Sequence, residues 1–144
     1  MLFIQIADHI HLPVTEVRIQ QAVEVTLQVA AVSPETEITI VFTDDQQLHQ
    51  LNLQYLGIDA PTDVLSFPAG FNDPDTDHPY LGDVLISVPR LEAQASENHQ
   101  TPQEELMLLV VHGVLHLTGY DHSNAEEQDR MWTAQSKILS RLKA

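Results

Sequence analysis

His112-Gly113-Val114-Leu115-His116-Leu117-Thr118-Gly119-Tyr120-Asp121-His122 is the stretch on which the reading of this chain turns. It ends the most apolar segment of the sequence and spaces three histidines at i, i+4 and i+10. Residues four apart on an α-helix are offset by about 40° and rise about 6 Å, so His112 and His116 project from one face. Gly119 is placed to stop the helix and reverse the chain, which brings His122 back from the turn. Three imidazole nitrogens on one ion leave the fourth position of a tetrahedral zinc open, as in catalytic rather than structural sites. A metal-free alternative makes them satisfied helix histidines. Two of them in so apolar a helix would then need other buried partners.

The flanks support that placement. Thr101-Pro102-Gln103-Glu104 combines a capping box with a proline in the first turn. Leu106, Leu108, Leu109, Val110, Val111, Val114, Leu115 and Leu117 follow, apolar on nearly every face, which predicts a buried central helix. Ser123-Asn124-Ala125-Glu126 reads as a second capping box that opens a terminal amphipathic helix. Upstream, Leu2 to Ile6 alternates as a strand, Pro13 opens a helix running to about Ala31, and Glu37 to Phe42 is strongly β-prone. Thr43 and Asp44 cap a helix that Gly57 to Pro61 breaks. Asp63 to Phe67 and Asp83 to Val88 predict two short strands, separated by a loop from Ala69 to Pro79. A helix from Pro89 to Glu97 completes the order β-α-β-α-β-β-α-α-α. That order predicts one α+β domain over residues 1–144: a mixed β-sheet flanked by helices, with the metal-binding helix central in a zincin-like arrangement.

Composition narrows the chemistry. The chain has 144 residues, 43% of them hydrophobic, enough for a core without staples. It contains no cysteine. Disulfides, a thiol nucleophile and cysteine-ligated metals are therefore excluded. Six basic against 21 acidic residues give a net charge of −15, which argues against a sequence-independent nucleic-acid wrapper. Residues 1–129 hold only Arg18 and Arg90, while Arg130, Lys137, Arg141 and Lys143 gather at the C-terminus. That cluster suits the negative end of the last helix and offers a possible RNA dock. The N-terminal run Met1 to Val14 has no basic region, and Asp8 and His9 break it, so a cytoplasmic protein without a membrane span is expected.

The spacing His116-x-x-Gly119-x-x-His122 equals the second half of the metzincin signature, whose first histidine is followed by a glutamate base. Here that position is Gly113, so the metzincin route to peptide hydrolysis lacks its base while metal activation of water survives. Asp121, the nearest carboxylate, is a candidate orienter of a ligand histidine or a turn stabiliser. Asp63, Ser66 and Asp83 lie in apolar strands, each with a site role and a strand-edge role open. His9, His11, His49, His78 and His99 read as ordinary surface histidines. Asp73 to Asp77 lacks the bidentate glutamate and internal glycine of a calcium loop and reads as solvated.

The histidine stretch resembles the signature of the YbeY endoribonucleases, described as rRNA maturation factors. Leu51-Asn52-x-x-Tyr55, Asp59-x-Pro61-Thr62-Asp63-Val64-Leu65-Ser66-Phe67-Pro68 and Leu81-Gly82-Asp83-Val84-x-Ile86-Ser87 are similar to further blocks of that family. The resemblance implies one zinc per chain on His112, His116 and His122, cleavage of single-stranded RNA, maturation of the 16S rRNA 3′ end and late ribosome quality control. RNA and the ribosome or its associated proteins are the implied partners. Where the family carries an arginine after the Asn-x-x-Tyr element, this chain has Leu56, which supplies no charge and no donor fork. Arg90 is the candidate substitute, with a solvated helix-start arginine as the plainer reading. The residues leave two other functions open: a metzincin-like hydrolase or protease, and a non-catalytic assembly factor with a bound metal.

Overall fold

Alternation puts Leu2, Ile4 and Ile6 of β1 (Leu2–Ile6) on one side, where they register against Ile38, Ile40 and Phe42 of β2 (Glu37–Thr43). In the computed structural model, which describes residues 1–143, these strands are parallel. β4 (Pro79–Ser87) runs parallel to β2, and β3 (Val64–Asn72) is antiparallel to β4. The order β1-β2-β4-β3 is a mixed four-stranded sheet, as the pattern predicts, with β1 and β3 at its borders.

One side of the sheet carries α1 (Glu16–Val29), α4 (Pro102–Leu117) and α5 (Ala125–Lys143). Ile38, Ile40, Phe42, Val84 and Ile86 meet Ile19, Leu106, Val110, Val114, Met131 and Ile138 there in the main core. A smaller cluster on the other side joins Leu48 of α2 (Asp45–Leu51) to Leu65, Leu85, Val41 and Phe67. A π-helical turn, Asn52–Leu56, prolongs α2 and ends at Gly57 in the left-handed region. α3 (Val88–Glu97) follows β4 directly, with the Ser87 hydroxyl accepting from the Arg90 N–H.

α4 is the central helix. Its capping box forms as expected: Thr101 Oγ1 accepts from the Glu104 N–H at 3.1 Å, and Glu104 Oε1 accepts from the Thr101 N–H at 3.1 Å. Gly113 faces the sheet, where a Cβ would lie 2.6 Å from Val84 Cγ1. The glycine is there for close packing, and a longer residue would point at β4 rather than toward the histidines.

Three expectations need correction. α1 starts after Thr15, whose hydroxyl accepts from the Arg18 N–H, so a capping side chain and not Pro13 sets its beginning. Asn124 rather than Ser123 caps α5, its Oδ1 accepting from the Glu127 N–H at 2.9 Å. The stretch expected as a loop is strand at both ends: β3 continues to Asn72, and β4 begins at Pro79, leaving residues 73–78 as the turn. The pairing slips between Pro68 and Phe71, which breaks the alternation, and Phe71 then stacks on Tyr80 with centroids 5.5 Å apart. Among the described residues no helix is long and apolar enough to cross a membrane.

Candidate metal centre

His112 and His116 stand one turn apart on α4, on the side not taken by the sheet. Gly119, with a φ of +110°, ends the chain's helical path and admits the turn that returns His122. The three rings assemble with centroids 4.8 Å (His112–His116), 5.0 Å (His116–His122) and 5.8 Å (His112–His122) apart. One nitrogen from each lies within 4.8 Å of the other two. The sequence expectation of a converging trio is met in geometry.

The donor set fits a zinc-class ion. Neutral imidazole is the ligating form. Burial, reinforced by repulsion from the neighbouring imidazoles, pushes His112 and His116 below the ordinary histidine range. Gln135 Oε1 of α5 lies 3.1 Å from His112 Nδ1. An amide oxygen only accepts, so Nδ1 carries the proton and Nε2 presents its lone pair. Trp132, one turn earlier on α5, stands 6.1 Å from both His112 and His122 and walls the cluster. Gln135 and Trp132 are the site residues that sequence reasoning missed, because nothing local to α5 marks which side meets the histidines.

The other candidates fall into place individually. Asp121 holds the turn: Oδ1 accepts from the His122 N–H at 2.7 Å, and Oδ2 lies 3.4 Å from Ser123 Oγ. The His122 N–H, then the nearby histidines, keep its carboxyl below the usual range. Ser66 donates to the Gly113 carbonyl at 3.2 Å, tying β3 to α4 beside His112. Asp63 lies near enough for its charge to act on His112. With its nitrogen turned toward them, the Gln94 amide bridges Asp63 Oδ2 (3.1 Å) and Glu105 Oε1 (3.2 Å). Glu105 is buried on α4, and burial followed by the Asp63 charge pushes its carboxyl upward. Asp83 accepts from the Tyr80 hydroxyl, away from the histidines.

The candidate cation substitute does not present a free fork. Arg90 donates to Asp45 through Nε at 3.0 Å and Nη2 at 2.6 Å. Leu56, more than half exposed on the π-helical turn, stands beside Leu53, Tyr55 and Ile58 in an apolar patch. Tyr55 rests edge-on against Phe67.

Comparison with known proteins agrees with this architecture. A family model described as endoribonuclease YbeY matches residues 5–143. The chain is 48% identical over 132 residues to an endoribonuclease YbeY from a Roseiflexus species, covering 86% of this chain and 81% of the relative. It is 43% identical over 121 residues to an endoribonuclease YbeY from Shouchella clausii, covering 78% and 76%. The solution structure of TM1509 from Thermotoga maritima superposes with a TM-score of 0.63 at 25% identity, over 99% of this chain and 89% of that one.

Proposed function

The chain belongs to the endoribonuclease YbeY family, and from that membership we propose that residues 1–144 form one metal-dependent hydrolase domain that cleaves single-stranded RNA. Its role is maturation of the 16S rRNA 3′ end and late ribosome quality control in the cytoplasm, with the ribosome or its associated proteins as partners.

The observation that carries this reading is the convergence of His112, His116 and His122 within mutual ligand reach. These residues would hold one zinc ion, which supplies positive charge to a scissile phosphate and brings a bound water to a pKa of about 7. The surrounding chain prepares the site. Gln135 sets the tautomer of His112, Asp121 fixes the turn that presents His122, and Ser66 anchors β3 against the metal helix. Trp132 stands against His112 and His122 on one flank. Asp63 and Ser66 border the substrate side in this proposal, while Arg90 is committed to Asp45. Peptide hydrolysis by the metzincin route is disfavoured, since position 113 faces Val84 and carries no base.

At a net charge of −15 the chain repels RNA at long range, so binding relies on local contacts and delivery by a partner. The test is His116→Ala, read by metal analysis and by digestion of a single-stranded RNA. Both metal content and cleavage should disappear. Undiminished cleavage by a zinc-free variant would remove the proposal. Leu56 favours a second reading, an assembly factor whose cleavage is weak, because an apolar side chain stands where the resemblance calls for a cation.

A further inference from the structure

β1 borders the sheet with alternate backbone groups unpaired. Its bonds to β2 come from every second residue: the Met1 carbonyl accepts from the Ile38 N–H at 3.0 Å, and the Ala7 N–H donates to the Phe42 carbonyl at 3.0 Å. In a parallel pair both backbone groups of a residue point the same way, so Phe3 and Gln5 face β2 as well. The N–H and C=O groups of Leu2, Ile4 and Ile6 therefore point away from the sheet, and no bond outside the ladder reaches them among the described residues. Nothing blunts this border. Leu2 to Ile6 holds no proline, no charge and no slip in its register, and Phe3 and Ile6 are exposed.

A cleft of about 300 Å³ opens beside the border between the start of β1 and α1, lined by Leu2, Val23, Leu27 and Val32. Glu24 of α1 stands exposed at the same cleft, and exposed Asp8 follows the other end of the strand. Neither carboxylate is paired with a basic side chain among the described residues, where the one arginine or lysine in an ion pair is Arg90, on Asp45. Arg18, the other cation of α1, turns to the Leu142 carbonyl of α5 at 3.3 Å.

The open groups specify their occupant. Donors and acceptors in a straight row match one extended backbone, whereas a helix has already bonded its own groups internally. Nucleic acid would set phosphates beside Glu24 and Asp8. A second copy would satisfy the row but bring a net charge of −15 against its like. We propose that the border of β1 takes up an extended segment of a partner protein as a fifth strand, with an aliphatic side chain in the cleft beside Leu2 and basic residues toward Glu24 and Asp8. In such strand addition main-chain bonds give affinity, and the pocket for an alternate side chain gives specificity. β1 lies at the opposite border from β3, the strand tied to α4 beside His112, so the site stands whether or not the histidine trio holds a metal.

The probe is a short synthetic peptide alternating valine and threonine, with lysines at both ends, added to isotopically labelled full-length protein and followed by NMR. One saturable site is expected. Binding should slow hydrogen exchange at the Leu2, Ile4 and Ile6 amides, while Phe3 and Gln5, already bonded to β2, keep their rates. Methylating the peptide amides that face the border should abolish binding, and glutamates in place of the lysines should weaken it about tenfold or more. Glu24→Lys, a change on the exposed side of α1, should reverse that preference between the two peptides while the circular dichroism spectrum is kept. The proposal is overturned if no saturable binding occurs, if the methylated peptide binds as well as its parent, or if glutamate ends leave the affinity unchanged. It is equally overturned if a single-stranded RNA, or the protein alone at rising concentration, protects the same three amides, because the border then belongs to nucleic acid or to a second copy.

Discussion

His112 and Gln135 meet across the α4–α5 interface, the ring Nδ1–H donating to the amide oxygen over 3.1 Å. The pairing fixes the ring before any ion arrives, so it should be felt in metal affinity more than in folding. Gln135→Leu is expected to weaken zinc binding about 10–100-fold, the usual range for loss of a partner behind a ligand. Competition with a chromophoric chelator measures it, and an unchanged affinity would show the ring is held by other means.

Gly113 sits on β4 too closely for any side chain, with Val84 Cγ1 2.6 Å from where a Cβ would be. Gly113→Ala gains about 1 kcal/mol of helix propensity but overpacks the sheet contact at a cost of about 1–3 kcal/mol. A net loss of stability in urea unfolding is expected. Combining it with Val84→Ala should destabilise less than the two changes summed, because the clash is shared.

Leu56 is exposed, so an arginine there should not disturb folding. Leu56→Arg is expected to tighten binding of single-stranded RNA. If it gains one phosphate contact, the salt slope of log K should steepen by about 0.7. Fluorescence anisotropy across a salt series reads this, with cleavage assayed in parallel. A sharp rise in cleavage from a near-zero baseline would favour the binding-factor reading of the natural chain.

Asp45 has its carboxyl held below the ordinary value of 3.8, chiefly by the Arg90 hydrogen bond. A lowered folded value means the pair contributes stability above about pH 4 and loses it as pH falls through the folded value. Arg90→Met should therefore be less stable than the parent at pH 7 in urea unfolding, with the difference closing in acid. A difference that persisted fully at pH 2 would place the effect in packing of the arginine stem instead.

The fold was legible where local signals agreed. The Thr101–Glu104 box, the apolar run to Leu117 and the stop at Gly119 all pointed to one helix, and the histidine spacing on it needed no tertiary knowledge. The β3–β4 hairpin was harder, since Pro68-Ala69-Gly70 imitates the end of a strand while cross-strand stacking of Phe71 on Tyr80 carries it onward. Partners far apart in the chain left no local trace. Gln135 is 23 residues from His112, and Asp45 is 45 from Arg90. Arg90 read as a free cation for that reason. Glu37 begins a segment read only as β-prone, and the returning turn is what shows its side chain to be sealed from solvent.

The border position of β3 has one further result. A bare strand margin invites a second copy to zip onto it and grow into aggregate. Pro68 offers no amide hydrogen, and the slipped ladder before Phe71 bends the margin out of line. The irregularity that lengthens this hairpin thus also protects the protein from self-association at high concentration.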